Sequence, residues 1–576
     1  MSNATPAATV YSNGRILTME SDDAAREDHE ALGVCDGRIV ARGAASDVRR
    51  AVGPGAAEVD LRGATLMPGI VDTHPHVIHF GLIEGSCVDI KDAKSHADIV
   101  ARIRERAAIT PKGEWIMTTP VGEPHYFLRR SYRDLAEGKL PDRQVLDRAA
   151  PDHPVWIQAW APVIPNVTAF NSAGLAKLGL TRDIPDQVEH VWIEKDAHGE
   201  PTGILRGSVT NYYTGDKFMN ELLCKLPLMR PDLLGLSMAR AQAMYARMGV
   251  TTAYEAHVMD RPLIEAYRFL RQSDLLTMRV LAAPEAERYA MPWDAPLTLD
   301  EFRVRLEEAA TLVDRSDDMF RVDGVTVSRG GPCWPGFLLM RDPYKGPYGE
   351  MTRGVSFIPR EWCEIAMRFC AERKLRLNVV VAGTGEHDEY LEQLEAVDRD
   401  YKIHDRHWVL QHVFFLEPEQ ARRYGKLGID VTTSMSFSWG KGDMFIERAG
   451  ERALEHLIPL KRMLDAGSIV SCGSDWGPKN IFEHIALATT HEFCGSGRRN
   501  DGPAQRVSRE QAIGMWTREA ARVLQWEGIG TLAPGSHADL IVLDRDPLTC
   551  GVADLPGTQV LRTVLGGKTV HDSGAL

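Results

Sequence analysis

Apolar positions follow two rhythms along the chain. At both ends short apolar runs alternate with turn residues. "ATVYSNGRILTM" sets Asn-Gly between two apolar runs and predicts a hairpin; "ALGVCDGRIVARG" repeats the pattern with Asp-Gly. Near the other end, "GTLAPGSHADLIVLDRDP" reads as turn, strand and Pro stop, and "VLRTVLGGKTVHDSG" as strand, Gly-Gly turn and strand. The middle changes to a longer unit. "DLLGLSMARAQAMYARMGVTTAYEAH" is an amphipathic helix, a glycine and a strand. "REWCEIAMRFCAERKLRLNVVVAGTG" has the same helix-then-strand order, as do "EPEQARRYGKLGIDVTTSMS" and "PLKRMLDAGSIVSCGSDWG".

Repeated helix-Gly-strand units predict parallel strands with crossover helices. In this number they predict an α/β fold, a (β/α)8 TIM-type barrel over 67–525. The two β-rich ends, 1–66 and 526–576, are expected to pair into one small domain. Residues 85–225 break the rhythm and read as a large insertion after the first barrel strand.

Composition narrows the partners. The net charge is −13, from 67 basic and 80 acidic residues, with no basic stripe. Nucleic acid and membrane are therefore not expected partners. The first residues lack the basic-then-apolar pattern of a secretory signal, and no apolar run is long enough to span a bilayer. The nine cysteines are scattered without CxxC spacing. They read as reduced thiols of a cytoplasmic protein, with Cys363 and Cys370 as packing residues.

In a barrel the chemistry sits at the C-terminal strand ends. "PGIVDTHPHVIHFG" ends the first strand with Asp72, His74 and His76, followed by His79. Positions i and i+2 of an extended strand face one side, so His74 and His76 can share one cation, or form a hydrogen-bonded pair. "HWVLQHVFFL" ends a later strand with His412, and "SIVSCGSDWGP" another with Ser474 and Asp475. A carboxylate after an apolar strand needs a cation or donors. Asp475 suits a metal ligand that also moves a proton, or the N-cap of the next helix.

These segments, with "LPDRQVLDRAAPDHPVWI", "FNSAGL", "GEPTGIL", "MGVTTAYEAH", "MWTREAARVL" and the closing "VLGGKTVHDSG", resemble the metal-dependent amidohydrolase superfamily. More narrowly, they look like its amidohydrolase-3 branch, which includes YtcJ-like proteins and N-substituted formamide deformylases. The resemblance implies a (β/α)8 barrel with a β-sandwich from both termini. It also implies hydrolysis of an amide-like C–N bond, of N-substituted amide or formamide type, in a small, partly apolar substrate.

Departures from the family pattern shape the expected site. Thr326 stands where members often carry a bridging lysine. Val380 and Thr384 stand where a histidine and an aspartate are expected, and Gln411 replaces a glutamate. The resemblance therefore implies one divalent ion per chain, zinc by preference, on His74, His76, His412 and Asp475. Glu255, His257 and His387 are candidate substitutes, Glu255 first among them. His79 and Gln411 are expected to support the ligands from behind. Asp475 and His412 are the expected catalytic groups, and Trp439 and Trp476 the expected substrate contacts. Two other readings stay open: non-hydrolytic chemistry such as decarboxylation or hydration, and a degenerate binding subunit. A homo-oligomer is also open.

Overall fold

The computed structural model describes residues 8–22, 29–122, 129–160, 163–330, 336–475, 477 and 479–576. Its middle is built on two parallel sheets. In one, Ile70–Asp72, Val250–Glu255, Arg279–Ala282 and Phe320–Val322 are neighbours in that order. In the other, Val325–Ser328, Leu377–Val381, Val409–His412, Asp430–Thr433 and Val470–Cys472 follow one another. The sheets meet where Phe320–Val322 passes into Val325–Ser328 through Gly324, which has φ +89°. The amide of Ala286 also donates to Thr326 O at 3.0 Å there. At the opposite edge Ser474 N donates to Asp72 Oδ1 at 3.0 Å, and Asp475 N to His74 O at 2.9 Å.

These strands are covered on both faces, so nearly every position along them is buried rather than every second one. "LNVVV" over Leu377–Val381 is buried at every position. The preceding helix, Arg360–Arg373, buries Cys363, Ala366, Met367 and Cys370 at i, i+3, i+4 and i+7. Gly249 and Gly428 turn the chain from helix into strand at φ +84° and +65°, a conformation L side chains resist.

The chain ends form two further sheets. One runs Arg38–Gly43, Ala31–Cys35, Ala8–Ser12 and Ala57–Asp60; the other runs Arg15–Ile16, Thr65–Pro68, Leu540–Leu543, Val560–Leu565 and Lys568–Asp572. Leu32, Val34, Leu66, Leu540, Val542 and Val564 belong to one apolar cluster that joins the two. The Asp36-Gly37 and Gly566-Gly567 turns close hairpins, with both residues of each pair at positive φ. The Asn13-Gly14 turn does not close the expected hairpin. Ala8–Ser12 pairs with Ala31–Cys35 and Ala57–Asp60, whereas Arg15–Ile16 pairs with Thr65–Pro68 in the other sheet. A Cβ at Gly14 would lie 2.3 Å from Ala64 O, so the turn is pressed against the loop it crosses.

Residues 116–207 supply a six-stranded sheet of their own. Trp156 and Trp160 are fully buried in its apolar core. Among the described residues no helix is long and apolar enough to cross a membrane.

Candidate metal centre

The C-terminal strand ends converge on one buried cluster. His74 and His76 follow Ile70–Asp72, His257 follows Val250–Glu255, His412 ends Val409–His412, and Asp475 follows Val470–Cys472. The ring of His74 lies 4.9 Å from His76, 4.7 Å from His257 and 4.9 Å from His412, centroid to centroid. Asp475 Oδ2 is 3.5 Å from His412 Nε2, and its Oδ1 is 3.8 Å from His76 Nε2. One ligand atom each from His74, His76 and His257 falls within 4.8 Å of the others; the same holds for His74, His412 and Asp475.

The cluster is held by its own backbone. Asp72 Oδ1 accepts from His74 N at 3.1 Å and from Ser474 N at 3.0 Å, tying the first strand end to the last. His76, Val258, His412 and Asp475 all have positive φ, between 47° and 74°. Such conformations cost about 1–3 kcal/mol each and persist where the surroundings over-determine them, which is common at functional sites. Gly473 permits the closest approach: a Cβ there would sit 2.5 Å from both His74 N and His74 Cβ.

Electrostatics favour neutral, electron-donating imidazoles. Burial pushes His74, His76, His257 and His412 well below the ordinary imidazole range, and neighbouring imidazoles add to the shift. His74 Nε2 and His257 Nδ1 have no hydrogen-bond partner among the described residues. Buried polar atoms are rarely left so. Neutral nitrogens beside a carboxylate are the donors that zinc and similar divalent ions take.

Glu255 and His79 stand behind His76. One ligand atom from each, with one from His76, forms a third group within 4.8 Å. Glu255 Oε1 accepts from Ile78 N at 3.0 Å and from the Tyr267 hydroxyl, so it caps the helix Val77–Glu84. Burial raises its carboxyl to about 7 and lowers His79 to about 4. His257, ranked below Glu255 in the sequence, lies within the ring of imidazoles itself. His387 lies elsewhere. It is buried in the helix Thr384–Tyr401, with Nε2 2.8 Å from Phe414 O and Nδ1 3.2 Å from Tyr424 Oη.

The substituted positions are filled by neutral groups. Thr326 Oγ1 donates to Ala256 O at 2.6 Å, and Gln411 Nε2 donates to the same oxygen at 3.0 Å. Val380 is buried and pairs with Gln411 across the sheet. Trp439 is buried in the helix Ser436–Ala449 under the Arg129 guanidinium, which lies 5.0 Å from its ring. Phe437, not singled out in the sequence, packs its ring 5.2 Å from His412. Trp476 lies outside the described residues.

Two features escaped sequence reasoning. Lys479 is placed by the loop after Asp475 and donates to Asp475 O. Burial lowers its ammonium to about 8, while Asp72 and Asp475 hold it up. Glu285 and Glu287 follow the strand Arg279–Ala282, and burial raises both carboxyls, Glu285 to about 8. The strand-end rule that drew attention to Asp475 applies equally to "LAAPEAE" and would have found them.

A buried cup of neutral imidazoles and a carboxylate at parallel strand ends has the donor chemistry of a metal-dependent α/β enzyme. Residues 57–571 match the model of the Amidohydrolase family. An N-substituted formamide deformylase from Arthrobacter pascens is 27% identical over 556 residues, 95% of this chain and 95% of its own. The putative amidohydrolase YtcJ from Bacillus subtilis is 25% identical over 581 residues, 98% and 99% of the two chains. An uncharacterised metal-dependent hydrolase from Pyrococcus horikoshii shares the fold, with TM-score 0.69 at 21% identity over 95% of this chain and 99% of its own. The chain belongs to the amidohydrolase family and is a hydrolytic enzyme.

Proposed function

We propose that this chain hydrolyses an amide-like C–N bond, of N-substituted amide or formamide type, in a small, partly apolar substrate. It does so with one divalent ion, zinc by preference. The observation that carries this reading is the meeting of His74, His76, His257, His412 and Asp475 in one buried cluster. The formamide deformylase relative, matched along nearly its whole length, supports the C–N assignment. In this reading the two parallel sheets are one (β/α)8 barrel over 67–525. The end sheets are a β-sandwich over 1–66 and 526–576, and 85–225 is an insertion after the first barrel strand.

The residues fit the ion. His74, His76, His412 and Asp475 hold it, and His257 joins them in place of the histidine missing at Val380. An ion there supplies Lewis acidity for activating water and polarising a carbonyl. Asp475 accepts the proton of the attacking water and returns it to the leaving amine, general acid–base work worth about 10²–10⁴-fold. Asp72 and Gly473 fix Asp475 against His74, so the proton acceptor and the imidazoles keep one geometry. Thr326, neutral and bonded to Ala256 O, offers no bridging anion for a second ion.

The test is a panel of N-substituted formamides and simple amides, with released amine and carboxylate followed by mass spectrometry on metal-loaded protein. Paired amine and acid products are expected. Release of carbon dioxide or a hydrated product, or no turnover of any amide by protein that carries metal, would contradict the reading.

A further inference from the structure

One cavity beside the cup is built in an unusual way. It has a volume of about 330 Å³ and opens beside Trp293, which is 51% exposed. Leu82, Met229, Leu234, Leu263, Ala266 and Met291 give it apolar walls. Two buried carboxylates, Glu285 and Glu287, line it at the cup end. Glu285 Oε2 accepts from Val258 N at 2.7 Å, and its Oε1 lies 4.0 Å from His257 Nδ1. Glu287 Oε1 accepts from Ser328 N. Beyond the contact of the two carboxyl groups with each other, Glu285 Oε1 and Glu287 Oε2 have no hydrogen-bond partner among the described residues.

The cavity's own two cations do not bond to those oxygens: Arg288 is exposed and acts on Asp294. Arg305 Nε donates to Ala286 O at 2.7 Å, and its Nη2 donates to Glu285 O at 2.7 Å, so the guanidinium serves backbone carbonyls. The other lining carboxylates are already engaged: Asp260 Oδ1 accepts from Leu263 N, and Asp294 Oδ2 from Met291 N. A hard metal ion would ask for six or more oxygens, and the apolar walls do not supply them. An ammonium group supplies three N–H donors and a charge, and an attached alkyl chain fits the apolar remainder.

We propose that this cavity is a subsite for an alkylammonium group held between Glu285 and Glu287. On the proposed function, on which this inference rests, the amides turned over then carry a second, basic nitrogen at the end of an apolar chain.

The test is calorimetric titration of the full, metal-loaded chain with hexylammonium, hexanol and hexanoate. Hexylammonium is expected to bind at least about 10-fold more tightly than hexanol, with hexanoate weakest, as charge-assisted hydrogen bonds require. Glu287→Gln, isosteric but uncharged, is expected to collapse that preference. Ala266→Phe fills the apolar part and leaves both carboxylates, so it is expected to weaken amine and alcohol alike. Equal binding of amine and alcohol overturns the proposal, as does a preference that survives Glu287→Gln. If Glu287→Gln does not fold, unchanged hexylammonium affinity in Ala266→Phe overturns it instead. Comparing kcat/KM for N-(6-aminohexyl)formamide and N-heptylformamide separates the two readings. Equal turnover of both removes the subsite and leaves the hydrolase. Glu287-dependent hexylammonium binding without turnover of any amide keeps the subsite and removes the amide-hydrolysis reading.

Discussion

Gly473→Ala is the most informative small change to this site. The added methyl would lie 2.5 Å from His74 N, 2.5 Å from His74 Cβ and 2.9 Å from His74 Cα. Carbon atoms in contact sit about 3.5–4.0 Å apart, so the two strand ends must separate by roughly 1 Å. No flexible side-chain tip is there to yield. Gly473 N is bonded to Thr433 O at 2.8 Å, and the next two amides are bonded to Asp72 Oδ1 and His74 O. Overpacking of this kind costs about 1–3 kcal/mol. The larger consequence is geometric, because a misplacement of about 1 Å in a reacting constellation costs about 10²-fold in rate. The variant should fold, melt somewhat lower, hold metal more weakly and lose about two orders of magnitude in kcat. Thermal melting, elemental analysis and steady-state kinetics on the same preparation would check this. Wild-type metal content together with wild-type kcat would refute the claim that this contact sets the geometry of the cup.

Asp475→Asn should retain part of the metal but lower kcat by at least about 10²-fold, since an amide cannot accept the water proton; the next helix, Ile481–Thr490, is capped by Asn480 and not by Asp475, the alternative open in the sequence, so an active variant with an unchanged pH–rate profile would remove Asp475 from the proton transfer. His79→Ala should be milder, about 10–100-fold, because it supports His76 rather than replacing a ligand. His387 gives a pH test away from the cup. Burial lowers it to about 4, below its unfolded value, so the unfolded chain takes up its proton first as pH falls. Its stabilising contribution is present above pH ~6.5 and is lost as pH falls through about 4, a change of roughly 3 kcal/mol over that window. His387→Gln should flatten that part of the curve in chemical denaturation, and an unaltered slope between pH 7 and 4 would show that another group carries it.

Much of the frame was legible because it depends on local periodicity. The helix-Gly-strand units gave the parallel strands, and asking which polar residue ends each strand led to His74, His76, His412 and Asp475. What failed depended on contacts between distant segments. The Asn13-Gly14 turn has hairpin chemistry, but the strands on its two sides pair with residues far along the chain, which no local signal reports. His387, a candidate ligand by sequence, is drawn away from the cup: Glu386 accepts from Ala382 N and Gly383 N and caps a long helix that buries it. Glu255 and His257 fall into two different groups around His76 for a similar reason. Which of two neighbouring strand-end residues points into the cup depends on the positive φ at Val258 and on the Ile78 amide claiming Glu255. Lys479 was missed because its burial beside Asp72 is purely tertiary.

The claim that everything else leans on is that the buried imidazoles hold one ion. Elemental analysis of purified wild-type, His74→Ala and His76→Ala proteins tests it directly. One equivalent of a divalent metal per wild-type chain is predicted, with most of it lost in each variant. Full metal content in both variants would contradict the assignment, and two firmly bound equivalents in the wild type would contradict the single-ion site.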